Sequence, residues 1–167
     1  PEEYNFRTTP DSYLQDHLVR YLPSDKSMID ILDVGAGPLS ILGKKIRNDN
    51  RQLRITCTDP LADKYMTLLR KHNIVTSVLN VKANAEQLSD HFAENYFDFI
   101  YMRNALDHSF DPLISVGEMI KVLNKNRFIV LEHETNEAEN ENYQPIKVTP
   151  ENEFMIWGIV TASIKLH

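Results

Sequence analysis

The sequence predicts an α/β domain in which a doubly wound, mostly parallel sheet carries helices on both faces. Two observations predict this fold class. Five short apolar runs alternate with segments of helical spacing, and these runs lack the polar alternation of a sheet that faces water. A length of 167 residues, 42% apolar and 25% charged, is typical of one globular domain with its own core.

Each predicted element has a local reason. Thr9 and Pro10 predict a helix start, because threonine caps a helix and proline fits its first turn, and Pro23 ends that helix. Residues 53–58 are rich in β-branched side chains, which favours a strand. Apolar residues recur at helical spacing in 112–122, which predicts a helix with one buried face. Strands are predicted at 29–34, 53–58, 74–81, 97–101 and 128–131, and further helices at 39–47, 62–71, 86–92 and 112–122.

Charge and cysteine content exclude several classes of protein. Asp and Glu outnumber Lys and Arg by 24 to 18, and the net charge of −6 disfavours non-specific binding to nucleic acid or to an anionic membrane. The single cysteine, Cys57, excludes an internal disulfide and a cysteine-rich zinc site, so we expect a cytoplasmic protein. The longest apolar stretch is too short to span a membrane as a helix. It predicts a last strand within 154–166, with Gly158 at a bulge.

In a doubly wound sheet, ligands bind at the carboxyl ends of the strands. After the first predicted strand, Gly35 and Gly37 allow a sharp turn and a close approach of ligand to backbone, although an ordinary turn has the same pattern. Ser40 stands where a dinucleotide-binding fingerprint has its third glycine. Asp33, at the strand end, would repel a pyrophosphate but suits a positively charged ligand.

The next two predicted strands end in residues suited to a nucleoside. Asp59 follows Gly37 by 22 residues, where a carboxylate accepts hydrogen bonds from ribose hydroxyls; the alternative is a cap of the following helix. Leu61 would cover one face of a base. Asn84 suits the edge of an adenine or, as the alternative, an ordinary helix cap.

The order of four segments resembles the class I, Rossmann-like S-adenosylmethionine-dependent methyltransferases, and most closely those with a methyltransferase type 11 domain. These segments are 32–37, 58–59, 84–86 and 97–108, and the resemblance covers residues 28–134. It implies S-adenosylmethionine as cofactor and S-adenosylhomocysteine as its product. It places Asp33, Gly35, Ala36 and Gly37 at the methionine moiety and Asp59 at the ribose. The adenine would have Pro60 and Leu61 beside its face and Asn84, Ala85 and Glu86 at its edge. Arg103 and Asn104 would close the site. The sequence departs from the family at Asn84, often Asp, and at 124–127, usually a Pro-Gly-Gly turn.

The resemblance also divides the chain into three parts. Residues 1–27 are expected to form an N-terminal lid segment and helix, 28–134 the S-adenosylmethionine-binding core, and 135–167 a short closing segment. Arg7 of the lid would contact the methionine carboxylate; the alternative is a frayed terminus. The C-terminal part is predicted to be shortened or incomplete, because no closing helix with an apolar face follows Glu132.

Two histidines are candidate general bases for methyl transfer. His108 and His133 follow the fourth and fifth predicted strands, where the methyl group should point, and either could take the proton of a substrate hydroxyl. Glu132 and Glu134 flank His133 and are expected to raise its pKa. The alternative is that each histidine only shapes its loop. No metal is expected, since the histidines and acidic residues of these loops lack tight ligand spacing.

The sequence therefore predicts an S-adenosylmethionine-dependent methyltransferase that acts on a small molecule, at an oxygen, with a sugar or related metabolite as the suggested acceptor. We expect no nucleic-acid or membrane partner. One alternative is a non-catalytic binding protein with the cofactor fold, or a partner subunit of a larger methyltransferase. Another is an NAD-dependent oxidoreductase, against which the missing third glycine and the lack of a substrate domain both argue.

Overall fold

A six-stranded sheet forms the centre of the molecule. The computed structural model describes residues 2–133 and 162–165. The strands are β1 Met28–Val34, β2 Gln52–Thr58, β3 Leu79–Val81, β4 Phe97–Arg103, β5 Leu123–Glu132 and β6 Ala162–Lys165. The helices are α1 Glu2–Thr8, α2 Asp16–Val19, α3 Ala62–Lys71 and α4 Pro112–Val122, with 3₁₀ helices at Ala85–Asp90 and Leu106–His108.

The strand order is β3-β2-β1-β4-β5-β6, with β1 to β5 parallel and β6 antiparallel to β5. The register sets Val34 beside Thr58 on one side and Met102 on the other, so the loops after these strands meet at one edge. The parallel strands confirm the predicted fold class, and each predicted strand overlaps an observed one. The last strand, β6, lies within the predicted 154–166, whereas Gly158 falls outside the described residues.

One face of the sheet is covered as predicted. Leu32 and Ile100 of the sheet pack in one core cluster with Met119 and Val122 of α4 and with Leu88 of the 3₁₀ helix. These residues are almost completely buried. Helical spacing in 112–122 correctly predicted that α4 has a buried face. The predicted face included Leu113, which is 45% exposed, whereas the buried residues of the helix are Ser115, Glu118, Met119 and Val122.

The other face is covered differently, and the helix predicted at 39–47 is wrong. This segment is irregular and runs beside the N-terminal segment: the Lys44 N–H donates to the Ser12 carbonyl at 2.7 Å, and the Leu14 N–H to the Lys45 carbonyl at 2.7 Å. A Cβ on Gly43 would lie 2.0 Å from the Tyr13 carbonyl carbon. Pairing with a distant backbone, at a contact that only glycine permits, replaces the intrahelical hydrogen bonds.

The helix predicted to start at Thr9 is also wrong. Helix α1 ends at Thr8, and only Asp16–Val19 is helical in the following segment. The backbone at Ser12 is engaged instead by residues 44 and 45. Leu14 and Leu18 are nonetheless buried against the sheet. The apolar spacing therefore predicted burial correctly, while tertiary hydrogen bonds decided the backbone conformation.

The helices are short. Helix α3 matches the predicted 62–71, and α4, with 11 residues, matches 112–122. Within residues 2–133 and 162–165, no helix combines the length and the apolar character needed to cross a membrane.

Candidate active site

A cavity of about 350 Å³ opens at the carboxyl ends of β1 and β4. This volume is within the range of small-molecule sites. Its lining residues are Glu3, Arg7, Asp33, Gly35, Ala36, Ile41, Arg103 and Asn104. Five of the predicted cofactor residues, together with Arg7 of the predicted lid, therefore converge on one space.

A larger cavity, of about 620 Å³, lies where β2 begins, at the opposite end of that strand from the strand ends where ligands bind. Its charged side chains already have partners: Lys45 pairs with Asp11, and Arg51 pairs with Asp49. None of the predicted site residues lines it. The smaller cavity is therefore the candidate site.

Asp33 forms the buried floor of the smaller cavity. The Ser40 hydroxyl donates to Asp33 Oδ2 at 2.6 Å, and no ion pair joins Asp33 to another described residue. Burial raises the pKa of Asp33 to about 7, against the opposing effects of the Ser40 hydrogen bond and of the positive charges on Arg7 and Lys44. A buried carboxylate of this kind gains an interaction when a positively charged ligand group enters.

The turn after β1 carries the backbone along the cavity. The N–H groups of Gly35 and Ala36 donate to the Thr58 carbonyl at 2.8 and 3.1 Å. Gly35 has a φ of +68°, and a Cβ there would lie 2.4 Å from the Cβ of Ala105. Glycine therefore allows the loops after β1 and β4 to touch, which brings the two halves of the site together.

Asp59 braces the same turn. Its Oδ2 accepts from the Gly37 N–H at 3.1 Å, and its Oδ1 accepts from the Leu61 N–H at 2.8 Å. It does not cap α3, which has no side-chain cap. Each carboxylate oxygen keeps a lone pair for a ribose hydroxyl. Leu61 and Pro60 are exposed. A Cβ on Gly37 would meet no atom within 4 Å, so the space beside Gly37 is open.

The predicted adenine-edge residues have local partners. The side-chain amide of Asn84 donates to Gln87 Oε1 at 2.9 Å and forms no capping hydrogen bond. The Glu86 carboxylate accepts from the Phe110 N–H at 2.5 Å and so secures the loop between β4 and α4. Ala85 packs against the core. These three residues lie outside the cavity lining.

Arg103 and Asn104 line the cavity at the end of β4. Asn104 has a left-handed φ of 47°, and its N–H donates to the Glu132 carbonyl at 2.9 Å, which fixes the loop to β5. Arg7 of α1 also lines the cavity; its guanidinium donates to the Leu39 carbonyl at 3.0 Å and pairs with Glu3. Helix α1 therefore contributes Glu3 and Arg7 to the lining of this cavity.

The candidate base His133 has a pKa shift opposite to the expected one. Burial lowers the pKa of His133, the charge of Asp107 opposes this, and His108 adds to it. The prediction failed because Glu132 faces away: its carboxylate accepts from the Tyr101 hydroxyl at 2.6 Å and lies 2.7 Å from His17 Nε2. Neighbouring side chains on a strand point to opposite faces. Glu134, the other expected neighbour, lies outside the described residues.

His108, the other candidate base, lies at the end of the second 3₁₀ helix with its side chain about half exposed. Its Nε2 is 4.0 Å from Asp107 Oδ2. Among the residues that the structure describes, no group of histidine, cysteine and acidic side chains could hold a metal ion.

Sequence reasoning missed two contributors to the site. Asn80 of β3 donates from its amide to the Gly37 carbonyl at 3.1 Å, and its Oδ1 is buried without a hydrogen-bond partner among the described residues. A polar residue inside an otherwise apolar run was the available signal. Glu3 lines the cavity beside Arg7, in a segment whose sequence has no clear period.

The chain matches one protein family and many solved structures. A family model described as a methyltransferase domain matches residues 32–131, more than half of the chain. A comparison with curated proteins finds no match. Among solved structures, an S-adenosylmethionine-dependent methyltransferase from Aquifex aeolicus is 14% identical, covers 95% of this chain and 77% of its own, and gives a TM-score of 0.54.

Two further solved structures resemble this chain in fold. A proposed methyltransferase of Haloferax volcanii, in complex with a methyltransferase activator, is 12% identical, with 85% of this chain and 60% of that chain covered and a TM-score of 0.56. The [4+2]-cyclase SpnF is 17% identical, with 71% and 43% covered and a TM-score of 0.51. A cyclase with this fold shows that fold alone does not determine the reaction.

The chain spans roughly half the length of the first solved structures that it matches, 39% to 57%. The family itself rests on the sequence match, which contains both glycines of the first turn, Asp59 and the whole of β4. The chain therefore belongs to the methyltransferase domain family, whose methyl donor is S-adenosylmethionine.

Proposed function

We propose that this domain binds S-adenosylmethionine in the cavity above Asp33 and transfers its methyl group to an oxygen of a small molecule. One observation carries the proposal. Asp33 is a buried carboxylate at the floor of a cavity of ligand size, and Ser40 is its closest hydrogen-bond donor. An ammonium group compensates such a charge better than any neutral ligand, because a buried charge is stable only when paired.

The residues present fit this cofactor better than they fit a dinucleotide. Its methionine part carries an ammonium and a sulfonium, both positive, and it has no pyrophosphate. Ser40 occupies the third-glycine position and donates to Asp33, so a carboxylate faces the space where a pyrophosphate would lie. This arrangement argues against the NAD-dependent alternative.

The geometry of the loops supports the remaining proposed contacts. Asp59 has lone pairs left for the ribose hydroxyls, and the exposed Leu61 offers an apolar surface to the adenine. Arg7 and Arg103 supply positive charge at the cavity for the methionine carboxylate. Asn84, Ala85 and Glu86 remain proposed adenine-edge residues.

When bound, S-adenosylmethionine supplies an electrophilic methyl carbon. The protein has to orient the acceptor and remove its proton. His133, with a lowered pKa, is neutral at physiological pH and so can accept that proton through a ring nitrogen. His108 is the second proposed base, since it lies in the neighbouring loop. A neutral base at this mouth supports an oxygen acceptor, whose hydroxyl must lose a proton during transfer.

Charge and composition support the wider setting of the proposal. A net charge of −6 and a single cysteine favour a cytoplasmic protein with a small-molecule substrate and without a nucleic-acid partner. A sugar or related metabolite remains the proposed acceptor class.

Calorimetric titration tests the cofactor assignment. We expect S-adenosylmethionine and S-adenosylhomocysteine to bind the 167-residue chain and NAD not to bind. Binding of NAD alone would show an oxidoreductase-type site. Binding of none of the three would favour a non-catalytic partner subunit.

A further inference from the structure

Two buried polar atoms in the loops after β4 and β5 have no hydrogen-bond partner within the part of the chain that the structure describes. Asp107 Oδ1 and His133 Nε2 are both shielded from solvent, and neither has a hydrogen bond to any described residue. Leaving a polar atom buried and unpaired costs about 1–3 kcal/mol. A pair of such atoms is therefore expected where a ligand supplies the missing groups.

The two atoms belong to neighbouring loops. Asp107 lies in the 3₁₀ helix that follows β4, and His133 comes directly after β5, the strand beside it. They are close enough for the charge of Asp107 to act on His133. The Asn104 N–H, three residues before Asp107, is tied to the Glu132 carbonyl, so the two loops are held together.

The charges around the pair favour a neutral ligand group. His108 Nε2 lies 4.0 Å from the other oxygen of Asp107, and Arg103 lines the adjoining cavity. A positive group, the Arg103 guanidinium, is therefore already present in the adjoining cavity. An ionised carboxylate only accepts hydrogen bonds, and the neutral imidazole that acts as a base also accepts at its free nitrogen. Two acceptors on adjoining loops require two donors from the ligand.

We propose that Asp107 and His133 together bind two adjacent hydroxyl groups, so that the methyl acceptor is a vicinal diol. One hydroxyl donates to His133 Nε2 and is the group that is methylated. Its neighbour donates to Asp107 Oδ1, which makes Asp107 a substrate-binding residue. This assignment rests on the proposed methyl transfer and names the substrate class of that site.

Chemical blocking of the acceptor tests the diol without knowledge of its identity. The protein is incubated with S-adenosylmethionine labelled in its methyl group and a protein-free small-molecule extract of the cells in which the chain occurs. Before the cofactor is added, one portion of extract is treated with periodate, which cleaves vicinal diols, and the excess is quenched with ethylene glycol. A second portion is acetylated at its amines, and a third receives periodate that was quenched beforehand.

Each outcome separates the two proposals. Label transfer that is lost after periodate but kept after acetylation and in the pre-quenched control supports the diol. Transfer that survives periodate, or that acetylation abolishes, overturns the diol while methyl transfer stands. No transfer from untreated extract, with S-adenosylmethionine still bound, overturns the proposed methyl transfer and the diol with it.

The variant Asp107→Asn tests whether Asp107 binds the second hydroxyl of the substrate. We expect Asp107→Asn to raise the half-saturating amount of extract about tenfold or more, the loss typical of a hydrogen bond to a charged group. Its affinity for S-adenosylmethionine and its melting temperature should match the parent. The control is Glu94→Gln, which removes a charge from an exposed position. An unchanged half-saturating amount in Asp107→Asn would remove Asp107 from the substrate site.

Discussion

Two buried aspartates at opposite ends of the sheet have very different surroundings. Asp98, near the start of β4, accepts hydrogen bonds from Lys26 Nζ at 2.7 and 2.9 Å, from the Asn124 amide at 3.0 Å and from the Asp30 N–H at 3.1 Å. Asp33, at the carboxyl end of β1, receives a hydroxyl hydrogen bond from Ser40. Both residues are almost inaccessible to solvent.

The difference separates a structural carboxylate from a functional one. At Asp98 the chain supplies the charges and donors that a buried carboxylate needs, and this network joins the N-terminal segment to the sheet. At Asp33 the chain supplies less than the carboxylate requires, and the pKa of Asp33 rises to about 7. Folding alone would not favour that arrangement, so we infer that a ligand completes it.

The largest expected effect is on the pH dependence of stability. Because the pKa of Asp33 is about 7 in the folded protein and 3.8 when unperturbed, the folded state binds more protons than the unfolded state between these values. The free energy of unfolding should therefore fall as pH rises from about 4 to 7, by at most about 4 kcal/mol from this group. Asp33→Asn should remove the decline and be more stable than the parent at pH 7.5. Urea denaturation at several pH values measures this, and a variant as pH-dependent as the parent would contradict it.

Asp98→Asn should have the opposite effect. It leaves Lys26 without its carboxylate partner, and breaking a buried ion pair costs about 3–5 kcal/mol. Lys26 is partly exposed, which favours the lower end of that range. The urea midpoint should fall at neutral pH, in contrast to the rise in Asp33→Asn. A loss below about 1 kcal/mol would show that the network adds little and that the two carboxylates are alike.

Cofactor affinity should separate the same two variants. Asp33→Asn should weaken S-adenosylmethionine binding about 10- to 100-fold, as expected for loss of a hydrogen bond between charged groups. Asp98→Asn, at the other end of the sheet, should bind the cofactor as the parent does at a temperature where it is folded. Calorimetry measures both, and equal losses would mean that the effect is one of folding.

Ser40→Ala tests how the Ser40 hydroxyl affects the pKa of Asp33 and the affinity for S-adenosylmethionine. The Ser40 hydrogen bond lowers the pKa of Asp33, so its removal should raise that pKa further above the usual range. If the ionised carboxylate binds the ammonium, affinity for S-adenosylmethionine rises with pH through about 7 in the parent and at higher pH in Ser40→Ala. Identical pH profiles would exclude the ionised form as the binding species.

The smallest expected effect is on the pKa of His133. It concerns a second pair of acidic residues, one of which has hydrogen-bond partners while the other lacks one. Glu132 has Tyr101 and His17 as partners, whereas Asp107 Oδ1 has no hydrogen-bond partner among the described residues. Asp107→Asn should lower the pKa of His133, because the Asp107 charge raises it, and Glu132→Gln should leave it nearly unchanged. Nuclear magnetic resonance titration of the imidazole protons measures both. A larger shift in Glu132→Gln than in Asp107→Asn would show that Glu132, and not Asp107, is the carboxylate that acts on His133.

Much of the fold could be predicted because the signals are local. The uninterrupted apolar run at 97–101 and the helical spacing in 112–122 each required only nearby residues, and both elements formed as expected. The segment 39–47 failed because its backbone partners are Ser12 and Leu14, far back in the chain. Side-chain pattern carries no information about such a partner.

Residue types at short spacing were enough to predict the order of strands along the chain, the turn with Gly35 and Gly37, and the family. Tertiary structure decided which of these residues share a cavity and how they ionise. Burial raised the pKa of Asp33 and lowered that of His133. Asp107 Oδ1 has no hydrogen-bond partner among residues 2–133. The charge and partners of a group depend on neighbours brought from distant parts of the chain, and only the folded molecule brings them together.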